Sequence, residues 1–200
     1  MTVNDDKHHQ EFLPQKNRIL SIAGVGAASG LVGSLAISAL ILLAERVAGL
    51  PIGTFYLMLV SAISQSLDYS TYAIAQGLLL HLFAGAVIGA LLSAPFGASR
   101  KAYVSLGRLA PAYGLAAGAL VWAALFLPVT YGTMVPLLQS LDGRSVVSQH
   151  SPVGTVFSIA VSDMLAMMDR IVYTALAFNM LFGLVTLVLT RTVAEAVLGR

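Results

Sequence analysis

The sequence predicts an all-α, polytopic membrane protein with four transmembrane helices. Composition is the first reason. Of its 200 residues, 58% are hydrophobic and only 10% are charged, against about 25% charged in an average soluble domain. Length is the second. Four apolar segments reach the roughly 20 residues needed to cross a bilayer core. The third is a set of small residues that recur every fourth position inside those segments. In lipid, water expulsion gives helices little reason to associate. Small residues that let backbones approach closely therefore mark contact faces.

The elements follow in order. Residues 1–18 are polar, with Asp5, Asp6, Lys7, His8, His9 and Glu11. We read them as a flexible cytoplasmic arm ahead of a single membrane domain, 19–200. The next stretch, Ile19–Ala44, exceeds the ~7–15 residues of a signal-peptide core, so it reads as a retained anchor. Tyr72–Pro95, Leu109–Leu127 and Ile171–Leu189 are the other three spans. Two shorter apolar stretches, Pro51–Ile63 and Pro152–Met168, read as outer-side interfacial or re-entrant helices. A full crossing by the second would bury Asp163 at a cost of several kcal/mol.

In the first span Gly26, Gly30, Ser34 and Ser38 line up. In the second, Gly77, His81, Gly85, Gly89 and Ser93 do so. In the third, Ala110, Gly114, Gly118 and Trp122 do so. Ridges of this spacing favour steep helix crossings.

Basic residues orient the chain. The N-terminal arm, the link between spans two and three and the C-terminal tail hold eight Lys and Arg; the opposite side holds three, Arg46, Arg144 and Arg170. We therefore expect a multi-pass protein of the cell membrane with both termini in the cytoplasm. The outer side carries Glu45, Asp68, Asp142, Asp163 and Asp169, five of nine acidic residues, so chemistry is expected to face outward.

Pro51-Ile-Gly-Thr-Phe-Tyr returns as Pro152-Val-Gly-Thr-Val-Phe, and residues 51–61 and 152–162 share five identities in eleven positions. Gly30 aligns with Gly114, and Gly85 and Gly89 align with Asn179 and Gly183. This pattern suggests two tandem hairpins, 19–100 and 101–200, related by an axis along the membrane normal as in parallel transporter repeats. The competing reading is a helix-start motif that arose twice: Pro suits a first turn, and Thr can satisfy a nearby backbone group.

His81 is the sharpest chemical candidate. It occupies a rung of the second span's glycine series, and an ionisable residue within a span is by default a functional hypothesis. The alternative is a structural imidazole hydrogen-bonded across a helix interface. Asn179 is a second polar group at comparable depth, suited to an interhelical hydrogen bond. Asp68, His150, Asp163 and Asp169 form a possible outer-face site. A hard cation needs converging oxygens, and these acids are scattered, with Asp169 equally suited to cap the last span. Met164, Met167 and Met168 could offer thioethers, but with no Cys and only one nearby His they read as packing. Gly24-Val-Gly-Ala-Ala-Ser29 lies within a span with no preceding strand, so it is not a nucleotide fingerprint.

No cofactor or metal is expected from these residues. The absence of Cys excludes thiolate chemistry. The net charge of +2, spread over short loops, argues against nucleic-acid binding. The expected partners are the lipid bilayer and the protein itself or other membrane subunits. Three functions fit in descending order. The first is a packing or accessory subunit of a homo-oligomer or larger membrane complex. The second is a transporter or channel protomer with a path near His81. The third is an intramembrane redox or enzyme subunit.

Overall fold

The computed structural model describes residues 15–64, 71–141, 145–150 and 156–197. Four helices are long and apolar enough to cross a membrane, at Lys16–Val47, Thr71–Ala98, Leu109–Ser140 and Met168–Ala196.

Helix α1 (Gln15–Val47) buries one stripe: Ile22, Gly26, Gly30, Ser34, Ile37, Ser38, Ile41 and Glu45. These intervals of three and four residues are the period of a helix face. Short helix α2 (Thr54–Ser64) follows two glycines in the left-handed region, Gly49 at φ 72° and Gly53 at φ 93°. A Cβ is disfavoured there, so the reversal after α1 calls for glycine. Helix α3 (Thr71–Ala98) buries Ala73, Gly77, Gly85, Gly89, Ser93 and Gly97, again every fourth residue with His81 in the row. Ser99 alone separates it from α4 (Arg100–Val121), where the Ser99 hydroxyl accepts the Ala102 N–H at 3.0 Å.

The third span runs further than expected. Leu127 is not its end, because the helix continues through Pro128 and Pro136 to Ser140. A proline ring crowds the carbonyl four residues earlier and offers no N–H. The chain widens its turn before each one. In the π turn Trp122–Phe126 the Leu127 N–H reaches Trp122 O, and in the π turn Thr130–Met134 the Val135 N–H reaches Thr130 O. Short α5 (Leu127–Val129) lies between the two turns, and α6 (Val135–Ser140) ends the rod.

The second short outer element is also not a single helix. Strands β1 (Ser145–His150) and β2 (Val156–Ala160) pair antiparallel, with Val147 opposite Ile159 and His150 opposite Val156. Short α7 (Val161–Ala166) then leads into α8 (Met168–Val197). The run Val156–Ala160 is rich in β-branched and aromatic residues, which fit a strand. This hairpin is the one extended element among the described residues, in an otherwise helical protein. The repeated motif therefore takes different forms: Phe55–Leu59 is helical, whereas Val156–Ala160 is a strand. Pro152–Thr155 lie outside the described residues.

The most extensive contacts are α1 on α3, α4 on α8 and α1 on α8. Large apolar side chains such as Leu20, Leu35, Leu79, Phe83 and Leu91 point outward. In water such a surface would be a large apolar patch; around a transmembrane bundle it is the lipid face.

Candidate functional site

The end of the bundle where α1 begins and α8 finishes is close-packed. A Cβ on Gly26 would fall on Ser93 and the Gly89 carbonyl, and one on Gly30 on the Gly85 carbonyl. On the other pair, a Cβ on Gly114 would meet Leu184 Cα at 2.6 Å and one on Gly118 would fall on the Asn179 carbonyl. Polar links close this end. Arg18 Nε donates to Gly97 O at 2.8 Å, and the hydroxyls of Ser93 and Thr190 lie 3.2 Å apart. Leu106, Ala110 and Leu187 fill the space between α4 and α8.

Towards the other end the residues on the facing stripes grow larger. Ile37, Ile41 and Phe182 replace glycine and hold the helices apart. A cavity of about 800 Å³ opens there, between the C-terminal half of α1, α2, the middle of α3, the π-turn region and the N-terminal half of α8. Its walls are mostly apolar. Five of the seven methionines in the chain line it, Met58, Met134, Met164, Met167 and Met168. Thioether side chains adapt to irregular shapes and suit surfaces that accept varied apolar partners.

Glu45 organises one wall. It is only 5% exposed, near the end of α1. Its Oε2 accepts the Gly53 N–H and its Oε1 accepts the Phe55 N–H, both at 2.7 Å. These are free donors at the start of α2, of the kind every helix N-terminus presents. Thr54 Oγ1 turns back to the Pro51 carbonyl at 2.6 Å. The Pro-x-Gly-Thr sequence thus forms a docking turn ahead of α2, read by a carboxyl group one loop upstream. Pro51 precedes the helix and is not in its first turn. Sequence reasoning placed Glu45 among the outer acids but gave it no role. The available signal was its position eight residues before a glycine that must adopt positive φ.

His81 lies between α1 and α2. It meets Phe55 and Tyr56 edge-on, at centroid distances of 5.7 and 5.9 Å. Gly77, one turn away, makes room for α2, since a Cβ there would fall on the Tyr56 carbonyl. The small-residue row of α3 therefore serves two neighbours, α2 at Gly77 and α1 at Gly85 and Gly89. Burial pushes the Tyr56 hydroxyl up from its ordinary value, so it remains a neutral donor.

Asn179 lines the same cavity as His81, yet its Nδ2 donates to Ala175 O within α8 at 2.8 Å. Trp122 ties the π-turn region to α8 through an Nε1 bond to Val172 O at 3.1 Å. Asp163 and Asp169 are exposed in the first turns of α7 and α8, His150 belongs to β1, and Asp68 lies outside the described residues. Among the described residues no three His, Asp or Glu side chains come together as a metal cluster would require.

Buried polar atoms complete the site. Ser34 Oγ, His81 Nε2 and Thr130 Oγ1 have no hydrogen-bond partner among the described residues, and all three residues line the cavity. Ser61 Oγ and Thr186 Oγ1, which do not line it, are buried without a partner as well. No family model, curated protein or solved structure matches the chain. Its function is therefore read from the cavity's own chemistry.

Proposed function

We propose that the chain is a membrane protein that binds a mainly apolar small molecule in this cavity, as a transporter or carrier protomer whose path runs beside His81. The cavity carries this reading. Protein interiors are close-packed with few voids larger than water, whereas small-molecule sites are typically apolar spaces of about 300–1,000 Å³ with a few placed polar groups. A volume of about 800 Å³ lined by methionine, Phe and Ile belongs to the second class. In this reading both termini face the cytoplasm, and the cavity lies in the outer half of the bilayer.

A tandem duplication of two hairpins fits the same picture. Aligned positions meet in both halves. Gly30 meets Gly89 as Gly114 meets Gly183, and Ser34 meets Gly85 as Gly118 meets Asn179. A shared ancestral hairpin accounts for both crossings.

The test is composition. The protein is purified in mild detergent, washed and extracted with organic solvent, and the extract is analysed by mass spectrometry. One apolar compound enriched at close to one per chain supports the proposal. No enriched compound overturns it. A second polypeptide at fixed ratio, with no small molecule, replaces it with the accessory-subunit reading, in which a neighbouring chain fills the space.

A further inference from the structure

The mouth of the cavity narrows the chemistry of its ligand, given the reading of the cavity as a ligand site. Val47, Leu125 and Val129 line the cavity, yet they are 81%, 50% and 38% exposed. Residues that are both wall and surface mark where the space opens. These three are large and apolar, so the mouth faces lipid. Arg170 and Thr174 belong to it too, since both line the cavity and both are exposed. They stand one turn apart on one face of α8. A molecule entering from the bilayer meets this guanidinium and hydroxyl without reaching into the closed wall.

The charge available at this mouth is positive. Among the described residues two charged side chains line the cavity, Glu45 and Arg170, and they are not equivalent. Glu45 is buried, and both its oxygens are taken by the N–H groups of Gly53 and Phe55. Arg170 is exposed and has no acidic partner, because the one ion pair among the described residues joins Arg191 to Glu195. Asp163 and Asp169 are close in sequence but do not line the cavity. Arg170 also stands at the right depth. It is in the first turn of α8, which begins at Met168, where a span meets the headgroup region. A long cationic side chain there keeps its charge at the interface while its stem lies against apolar surface. Arg46 offers a comparison. Gly33 of α1 packs on Phe182 and Thr186 of α8, and the two helices run antiparallel. Counted equally outward from that contact, Arg46 and Arg170 reach one level. Arg46 is exposed but does not line the cavity.

We infer that the cavity holds the hydrocarbon chain of an anionic amphiphile whose headgroup, a carboxylate or a phosphate, rests on Arg170 at the mouth. The chain replaces empty space with contacts along the methionine walls. The headgroup keeps its charge at the hydrated rim and avoids the cost of burying it. The guanidinium fork matches the oxygens of a carboxylate or a phosphate with paired N–H bonds, and the Thr174 hydroxyl offers a further donor on the same face. A neutral alcohol leaves Arg170 no better partnered than water does, and an amine meets like charge.

The experiment uses the full chain in phosphatidylcholine nanodiscs with a hexadecanoate that carries a diazirine at its chain end. Labelled peptides are mapped by mass spectrometry, and unlabelled dodecyl phosphate, dodecanoate, dodecanol and dodecylamine compete. Labelling is expected in α2 and the Thr130–Met134 turn, whose Met58 and Met134 line the cavity. Both anions should compete at roughly fivefold lower concentration than dodecanol, the worth of one partly exposed charge pair, and dodecylamine should be weakest. Dodecyl phosphate ahead of or level with dodecanoate points to a phospholipid headgroup, and dodecanoate ahead points to a free fatty acid. Arg170→Gln should remove the preference for anions while leaving competition by dodecanol unchanged, and Arg170→Lys should keep part of it. Arg46→Gln removes an exposed cation at the same level from outside the cavity and should keep the preference in full. Equal competition by all four probes in wild type, dodecanol or dodecylamine ahead, or the same loss in Arg46→Gln as in Arg170→Gln overturns the anion assignment and leaves the cavity as a ligand site. Absence of labelling in both segments overturns both.

Discussion

Removing the Glu45 carboxyl should loosen α2 without unfolding the bundle. The carboxyl holds two N–H groups at 2.7 Å, Gly53 and Phe55, from a position 5% exposed. Hydrogen bonds to a charged group contribute about 1.5–3 kcal/mol each, and a buried donor left without a partner bears its full desolvation cost. Glu45→Ala should therefore destabilise the start of α2 by about 3–5 kcal/mol. Glu45→Gln keeps one acceptor and turns an amide N–H₂ towards the second donor, so it should cost about half as much. The helix is short, only 11 residues, and isolated helices of that length are marginal. The loss should thus appear as local opening. The assay is amide hydrogen exchange in detergent micelles, resolved on peptides covering Gly53–Ser64. Glu45→Ala should speed exchange there roughly a hundredfold or more and Glu45→Gln roughly tenfold, with the mid-span amides of α1 and α3 unchanged. Wild-type exchange in Glu45→Ala would refute the claim that this carboxyl secures the cavity wall. Equal acceleration by both variants would refute the two-bond arithmetic.

Further expectations concern the spans. Two glycines in α1 provide a matched pair, because Gly24 has open space where a Cβ would stand and Gly26 has Ser93 and the Gly89 carbonyl. Gly24→Ala should be neutral or stabilise by up to about 1 kcal/mol through helix propensity. Gly26→Leu should lower the melting temperature in detergent, as overpacking by about 1–3 kcal/mol or more requires; identical melting would contradict the close crossing. Leu79, 66% exposed on the lipid side of α3, should accept Ala with little change in melting, and a large drop would mean that its face is misassigned. For topology, the chain lacks Cys, so single cysteines report cleanly. Cysteines at His8 and Val104 should resist a membrane-impermeant thiol reagent in intact cells while one at Arg144 reacts, and the reverse pattern would invert the proposed orientation. His81→Gln should retain assembly by size-exclusion chromatography, and His81→Leu should lose stability by giving up the edge-on ring contacts to Phe55 and Tyr56. Unchanged stability and ligand retention in His81→Leu would show the ring to be dispensable.

The four spans were legible because hydropathy and length are properties of composition, and a bilayer imposes both. Small residues recur every fourth position in the sequence, but the neighbour that each one meets is not readable there. Nothing in Gly77, Gly85 and Gly89 distinguishes a neighbour eleven residues long from one that spans the membrane. The extension of the third span past Leu127 is not visible in the sequence, since proline usually ends a helix. Only the backbone reveals the two π turns that carry the rod on to Ser140. The run after Pro152 was ambiguous on principle, since a short apolar stretch fits helix and strand alike. Glu45 was hidden for a different reason. Its role depends on a chain reversal through Gly49 and Gly53 that brings the start of α2 back to the end of α1. The cavity was hidden most completely. It arises where several helices separate, and no single segment records that space.

The central claim is that this space holds a ligand, and filling it is the most direct test. Ala175 faces the cavity from α8, one turn before Asn179. Native mass spectrometry of the protein released from nanodiscs should show wild type carrying one additional lipophile. Ala175→Trp should appear at its bare mass while retaining wild-type melting behaviour. The same bound mass in both proteins, or none in either, would contradict the account.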